Sequence, residues 1–220
     1  MTLALSVNPA WRCSAGCPFC YLAGRRDGRV MPPGELAERL AAIDAEYGLG
    51  DIDLYGGELL DLPPADVSAY VEACRKYCPR PVLITSLPRT EGYEKILSDP
   101  GTGLGVSWDY VDRPDWEGTL RRVESLGRPC GLLLTSPGLY ARRKDVAAAL
   151  NSVAAPLSVS VKPYYRARPG QPEPDWERTQ SLVLYLWSNL RHGMEVDRNR
   201  FSEPHAFLSP DGDQIGRAHV

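Results

Sequence analysis

Short apolar runs and longer amphipathic segments alternate along almost the whole sequence. Helices are predicted between the apolar runs and after the last one, beginning with Pro33–Tyr47 and ending with Asp175–Leu190. Alternation of this kind implies a parallel sheet with helical crossovers. The runs predict six strands, Leu3–Val7, Ile52–Tyr55, Val82–Thr85, Leu104–Trp108, Gly131–Thr135 and Leu157–Val161. A closed eightfold barrel typically takes about 250 residues. Because the chain has 220, we predict an α/β fold, a partial (β/α)6 TIM-like barrel with parallel strands.

The charge balance argues against two classes of partner. The formal net charge is −3 and the isoelectric point about 5.7, so neither nucleic acid nor an anionic membrane is favoured. Residues Met1–Trp11 lack the basic segment of a secretory signal. The apolar run Leu182–Trp187 is far shorter than the roughly 20 residues that cross a bilayer. We therefore expect a cytoplasmic protein.

Three of the six cysteines are crowded into one short segment as Cys13, Cys17 and Cys20. Cytoplasmic thiols stay reduced, which favours a metal site over disulfides for this group. A [4Fe–4S] cluster normally takes four thiolates, so three leave one iron open for chemistry. The remaining cysteines, Cys74, Cys78 and Cys130, fall on apolar stripes or strands and are predicted to belong to the core.

The segment Cys13-Ser-Ala-Gly-Cys17-Pro-Phe-Cys20, with the aromatic Phe19 before its last cysteine, resembles the signature of the radical S-adenosylmethionine (SAM) superfamily. Tyr55-Gly56-Gly57-Glu58 follows the second predicted strand and resembles the family's Gly-Gly-Glu-Pro motif, with Leu59 in place of the proline. The resemblance implies a [4Fe–4S] cluster on the three cysteines, with SAM bound at the open iron. Reductive cleavage of SAM would then give a 5′-deoxyadenosyl radical that abstracts hydrogen from a substrate. An electron donor such as flavodoxin or ferredoxin is implied as a partner.

The resemblance also assigns roles to individual residues. It places Phe19 near the adenine and Glu58 at the amino group of SAM, while Gly56 and Gly57 allow a close approach. Polar contacts to SAM are implied for Ser86, Ser107 and Asp109, which end the third and fourth predicted strands. Asp109 has the alternative of capping the following turn. Substrate contacts are expected after the sixth strand, at Lys162, Tyr164, Tyr165 and Arg166, whereas Arg25, Arg26 and Arg29 are expected to form a solvated loop.

The end of the chain carries two further signals. The stretch Phe207-Leu-Ser-Pro-Asp-Gly212 resembles the start of the cysteine-rich extension of peptide-modifying radical SAM proteins. Ile215–Val220 matches the in-frame translation of a common sequencing-library adapter, so we expect it to be foreign to the natural protein. The predicted organisation is a barrel over residues 1–191, the start of an extension over 192–214 and a non-native tail over 215–220.

Several functions remain open at this point. A peptide substrate is favoured slightly, with a glycyl-radical activating enzyme or a small-molecule enzyme such as a deazapurine synthase as alternatives. A zinc-binding interaction module would need a fourth ligand, and His192 and His205 are distant in sequence. A degenerate, non-catalytic relative is the last alternative.

Overall fold

A computed structural model describes residues 2–20, 22, 28–135, 137–162, 170, 173–194 and 205–211. The strands form one eight-stranded sheet in the order β7-β6-β5-β4-β3-β2-β1-β8, with every neighbouring pair parallel. The strands are β1 Leu3–Val7, β2 Leu49–Leu54, β3 Val82–Thr85, β4 Gly103–Ser107, β5 Cys130–Leu134, β6 Leu157–Val161, β7 Gly193–Met194 and β8 His205–Leu208. The helices are α1 Pro33–Tyr47, α2 Pro64–Arg75, α3 Glu94–Leu97, α4 Trp116–Leu126, α5 Arg143–Ser152 and α6 Trp176–Asn189. The six predicted strands and the partial barrel are confirmed.

Two strands were not predicted, and the count of six is corrected to eight. β7 has only two residues, too few for any alternation to show. β8 lies in the stretch interpreted as the start of an extension, and it pairs instead with β1, from Ala4 with His205 to Val7 with Leu208. In the described residues β7 and β8 are the two ends of the sheet, so the barrel stays open between them. Residues 212–220, with the suspected non-native tail, lie outside the described residues.

The two faces of the sheet differ sharply in character. On the face that packs against the helices, alternate strand residues are apolar and fully buried: Val7, Leu54, Val106, Leu132 and Val159. The intervening residues point to the concave side. They include Ser6, Asp53, Gly105, Ser107, Gly131, Ser158 and Ser160. A closed barrel fills its interior with bulky branched side chains, whereas this concave face combines small and polar residues with a few apolar ones, Val82, Ile84 and Leu133.

Local sequence explains where the main helices begin and end. Pro33 opens α1, where its missing N–H costs nothing, and Gly48 follows the last residue of α1 with φ +68°. The buried stripe of α2 includes Tyr70 and Cys74, so Cys74 belongs to the core as predicted. Burial raises the pKa of the Cys74 thiol to about 12 and that of Cys130 to about 11. No helix in the described part of the chain has the length and apolarity needed to span a membrane.

Candidate functional site

The cysteine loop leaves the carboxyl end of β1 and is closed at its base by backbone pairing. Ala10 forms an antiparallel bridge with Val30. The N–H of Trp11 donates to the carbonyl of Arg29 at 2.9 Å, and that of Met31 donates to Pro9 at 2.8 Å. The loop is therefore anchored at the end of the sheet where parallel barrels build their active sites.

Within the loop, Cys17 is buried and packs with Phe19 and Cys20. The Cys20 N–H donates to the Cys17 carbonyl at 3.3 Å, and the Cys13 thiol lies 3.6 Å from the carbonyl of Ala15. Across the described residues, no three potential ligand side chains gather around one point as a bound metal ion would require. Thiols are weak donors that take local partners, and metal binding itself organises such ligands. Three thiols outside any disulfide, on one anchored loop, are nonetheless the donor set that an iron–sulfur cluster takes.

Arg113 is a site residue that sequence reasoning missed. Its Nη1 lies 3.2 Å from the sulfur of Cys17, and its guanidinium lies over the Phe19 ring at 5.6 Å from the centroid. Its Nη2 donates to the Ser107 hydroxyl at 2.7 Å and to Asp109 at 3.0 Å. The buried Arg113 guanidinium thus connects Cys17 and Phe19 of the cysteine loop to the end of β4. Its signal in the sequence was only its position four residues after Asp109, in a stretch with no predicted element.

The charge on Arg113 is held by its surroundings. Asp109 is fully buried, and its second oxygen accepts the N–H of Thr135 at 2.5 Å. Burial disfavours the charged guanidinium, but Asp109 and then Cys17 outweigh it, so the pKa of Arg113 is raised. A fixed cation beside a sulfur favours the thiolate, which is the form that binds metals. The Nε of Arg113 is also buried, with no hydrogen-bond partner among the described residues.

Glu58 lies 3% exposed beneath the ends of β2 and β3. One carboxylate oxygen accepts the Leu60 N–H at 3.0 Å and the Thr85 hydroxyl at 2.5 Å. The other accepts both the N–H of Ser86 at 2.7 Å and its hydroxyl at 2.5 Å. Glu58 and Ser86, which were both predicted to contact SAM, are hydrogen-bonded to each other. The four donors occupy the carboxylate's full accepting capacity.

The glycine pair approaches the chain's own backbone closely. Gly56 has φ +153°, and a Cβ there would lie 2.0 Å from the side-chain oxygen of Asn8. A Cβ on Gly57 would lie 1.9 Å from the carbonyl of Arg12. The Gly57 N–H donates to Ala10 at 2.8 Å, and the Glu58 N–H donates to Arg12 at 2.9 Å. The glycines are required because this segment pairs directly with the start of the cysteine loop.

Asp61 ties the loop down at a second point and was also missed by sequence reasoning. The N–H of Ser14 donates to one oxygen of Asp61 at 2.6 Å, and its hydroxyl donates to the other at 2.9 Å. Arg89 lies 3.3 Å from the same carboxylate. Asp61 ends the 3₁₀ turn Leu59–Asp61 that Glu58 caps. The Gly-Gly-Glu segment therefore carries two anchors for the neighbouring loop.

Two residues beside the site hold the left-handed backbone conformation that favours glycine. Leu87 follows Ser86 with φ +53°, and Tyr110 follows Asp109 with φ +50°. Non-glycine residues in this region cost about 1–3 kcal/mol each and cluster at functional sites. Here they turn the chain sharply just after the residues that bond Glu58 and Arg113.

The other predicted residues are placed as follows. Lys162 follows β6 and lines a small pocket with Tyr140 and Arg178. Arg29 pairs with Asp211 next to β8, so it is more than a solvated loop residue. The remaining candidates of these two groups, Arg25, Arg26, Tyr164, Tyr165 and Arg166, lie outside the described residues.

Comparison with solved structures gives matches of the same fold. SuiB of Streptococcus suis bound to S-adenosylmethionine aligns with all of this chain and 62% of its own, at a TM-score of 0.69 and 16% identity. The enzyme anSMEcpe with bound AdoMet and a Cp18Cys peptide aligns with 88% of this chain and 63% of its own, at a TM-score of 0.64 and 16% identity. A radical SAM methyltransferase from Sphaerobacter thermophilus aligns over 96% and 69%, at a TM-score of 0.64 and 16% identity.

A curated relative is the probable GTP 3′,8-cyclase of Methanothermobacter thermautotrophicus, 32% identical over 139 residues. This alignment takes 57% of the present chain and 42% of the cyclase, so the chain spans less than half of that relative. The family profile of the Radical SAM superfamily matches residues 7–126, which include the cysteine loop, the Gly-Gly-Glu segment and Arg113. Because this match covers more than half of the 220-residue chain, the chain belongs to the radical SAM superfamily.

Proposed function

We propose that the protein is an active radical SAM enzyme whose cluster ligands are Cys13, Cys17 and Cys20. The superfamily uses a [4Fe–4S] cluster and SAM. When bound, the cluster supplies the electron that cleaves the SAM sulfonium, giving methionine and a 5′-deoxyadenosyl radical. The observation that carries the proposal is the anchored cysteine loop, with the fixed cation of Arg113 at 3.2 Å from the Cys17 sulfur.

The chain's own residues then act by positioning and charge. Arg113 stabilises the Cys17 thiolate, and Phe19 shields that sulfur from water by packing on it. Glu58 is proposed to bind the amino group of SAM, with Gly56 and Gly57 setting its position against the loop. The hydrogen bond from the Ser86 hydroxyl to Glu58 is the one that can be replaced, because a hydroxyl can rotate away. Its rotation leaves one acceptor site of the Glu58 carboxylate open to the ammonium of SAM. Ser107 and Asp109 hold Arg113 in place.

A peptide is the proposed substrate. Solved relatives of this fold include SuiB bound to the precursor peptide SuiA, at a TM-score of 0.71, and anSMEcpe with its peptide. In the described residues the sheet is not closed between β7 and β8, an arrangement that suits a chain-like substrate. The electron donor would be a flavodoxin or ferredoxin of the cytoplasm. A small nucleotide substrate is the second candidate, favoured by the sequence match to the probable GTP cyclase.

The test is anaerobic reconstitution with iron and sulfide, followed by reduction in the presence of SAM and measurement of 5′-deoxyadenosine. We expect four irons per chain and product formation that is lost in Cys17→Ala. The matched control is Cys130→Ala, the same change at a core cysteine, which should keep both. A cluster without product would establish the degenerate relative, and bound zinc without iron would establish the interaction module.

Substrate class is read in the same assay. Addition of the natural partner peptide, sought among short reading frames beside the gene, is compared with addition of GTP. Stimulated 5′-deoxyadenosine formation by GTP alone would contradict the peptide proposal.

A further inference from the structure

One level of the concave face carries almost no side chains. Gly105 on β4 pairs with Gly131 on β5, Gly131 pairs with Ser158 on β6, and Ser158 pairs with Gly193 on β7. Residues paired across parallel strands point to the same side of a sheet. Four neighbouring strands therefore present nothing larger than a serine side chain at this level. Glycine inside strands marks places where a ligand or another backbone approaches closely.

The row is filled at one end and open at the other. A Cβ on Gly105 would lie 3.1 Å from Cγ1 of Ile84 and 3.5 Å from Cδ1 of Leu133, so side chains already cover that position. Above Gly131 the nearest described atoms are backbone oxygens at 3.8 and 4.0 Å. At Gly193 no described atom comes within 4 Å of such a Cβ. Among the described residues no side-chain atom comes within 4 Å of a Cβ at Gly131 or Gly193, and we call the space over β5, β6 and β7 the hollow.

A buried hydroxyl without a partner lies at the upper edge of this hollow. Ser160 is two residues after Ser158 on β6, so it points to the same face, roughly 6–7 Å nearer the carboxyl end. It is only 3% exposed, and its Oγ has no hydrogen-bond partner among the described residues. Buried polar groups are nearly always paired, and an unpaired one calls for an explanation such as a missing ligand.

The same register connects the hollow to the candidate active site. Ser160 pairs with Leu133, and Leu133 pairs with Ser107 on β4. The Ser107 hydroxyl accepts a hydrogen bond from Arg113, which contacts Cys17. A group resting in the hollow thus lies one row below residues of the candidate site, on the face that the barrel encloses.

We propose that this hollow is a substrate subsite for a bulky, uncharged group that carries a hydrogen-bonding atom. Bulk is required because the glycines leave room where other strands carry side chains. Charge is excluded because the hollow's lining residues, Gly131, Leu133, Ser158, Ser160 and Gly193, are all neutral, and burying an unpaired charge is costly. The hydrogen-bonding atom satisfies Ser160. As a substrate subsite, the assignment rests on the proposed function.

The experiment uses two uncharged probes, N-acetyl-tryptophanamide and N-acetyl-leucinamide, with binding followed by saturation-transfer NMR on the full chain. We expect both to bind wild type, with at least tenfold weaker binding in Gly131→Leu, which fills the hollow. Gly34→Leu is the matched control, because Gly34 is exposed on α1 with no described atom near its would-be Cβ. Ser160→Ala should weaken binding about fivefold by removing one hydrogen bond.

Thermal unfolding of each variant identifies loss of fold, and Ser160→Ala tests the site with no added bulk. Equal probe binding by Gly131→Leu and Gly34→Leu would overturn the subsite. Displacement of the probes by adenosine would also overturn it, by assigning the hollow to the cofactor. Probe binding can be measured without turnover. A protein that binds the probes but forms no 5′-deoxyadenosine would therefore contradict the proposed function and leave the binding site itself standing.

Discussion

The guanidinium of Arg113 contacts the cysteine loop through Cys17 and Phe19 and the end of β4 through Ser107. A buried cation in such a position is costly unless paired, and Asp109 supplies the pair. The carboxylate of Glu58 has the complementary role at β2 and β3, where four donors surround it. At the scale of single residues, the site is organised around the buried ion pair of Arg113 with Asp109 and the buried carboxylate of Glu58.

Replacing Arg113 by Met should lower the reduction potential of the reconstituted cluster. The change removes both a positive charge and a donor facing the Cys17 sulfur, and such interactions set cluster potentials. We expect a fall of at least about 59 mV, a tenfold change for a one-electron couple. Redox titration followed by electron paramagnetic resonance gives the potential. Arg113→Lys keeps the charge, so its reduction potential should lie between those of the wild type and Arg113→Met. An unchanged potential in Arg113→Met would refute the electrostatic role of Arg113.

Replacing Glu58 by Gln should destabilise the fold by about 1–3 kcal/mol, because an amide NH₂ would face donors that now bond a carboxylate. The measurement is the denaturation midpoint of the protein without cofactors. Glu72→Gln is the matched control: Glu72 is largely exposed in its pair with Arg75, and loss of an exposed pair changes stability by less than about 1 kcal/mol. Equal effects of the two changes would show that the Glu58 contacts contribute nothing.

At the scale of elements, the cysteine loop and the core elements differ in how far they bury their thiols. Cys74 on α2 and Cys130 on β5 are buried, and burial raises the pKa of both thiols. At pH 8 these two are protonated and inert, since the thiolate is the reacting form. Of the loop cysteines, Cys13 and Cys20 are only partly buried, whereas Cys17 is buried beside Phe19.

Thiol labelling should therefore proceed in two groups. In the protein without cofactors at pH 8, we expect maleimide to modify Cys13 and Cys20, which are only partly buried, before Cys74, Cys78 and Cys130, as measured by peptide mass spectrometry. Labelling of Cys74 and Cys130 should accelerate as the pH rises toward their raised pKa values. Prior labelling of any core cysteine would contradict the packing described here, and unfolding in denaturant should remove the difference.

How far the sequence predicts this structure depends on the element. The six strands β1 to β6 each carry enough buried residues to show an apolar run, and the signature residues Cys17 and Glu58 lie in the segments that follow β1 and β2. Arg113 and Asp61 were not predicted because their roles depend on partners distant in sequence, Cys17 and Ser14. The steric requirement for glycine at position 56 was also not predictable, because it comes from a contact with Asn8 that forms only in the folded chain.

At the scale of the whole molecule, β8 belongs to the sheet even though the sequence suggested the beginning of another unit. Its residues Ala206 and Leu208 are buried, and the strand pairs with β1 along its length. The N–H of Asn8 donates to the carbonyl of Leu208 at 2.8 Å. The stretch 205–208 thus contributes to the core that carries the cysteine loop.

Leu208→Ala should accordingly cost about 2–5 kcal/mol, as expected for truncation of a buried leucine. The matched control is Leu184→Ala on the outer side of α6, where the side chain is 69% exposed and the change should stay within about 0.5 kcal/mol. Chemical denaturation measures both. If Leu208→Ala were as mild as its control, β8 would be an appendage and the predicted boundary at residue 191 would stand.

The pairing of β1 with β8 has a consequence for the order in which the protein forms. Leu5 pairs with Ala206, so one edge of β1 stays bare during synthesis until the chain has been made as far as β8. Contacts between such distant positions are slow to form, because a long chain loop must close first. A bare strand edge also invites pairing with other chains. During this interval, β1, the strand that precedes the cysteine loop, is exposed to pairing with other chains. Chaperone binding or rapid folding is needed to prevent such aggregation.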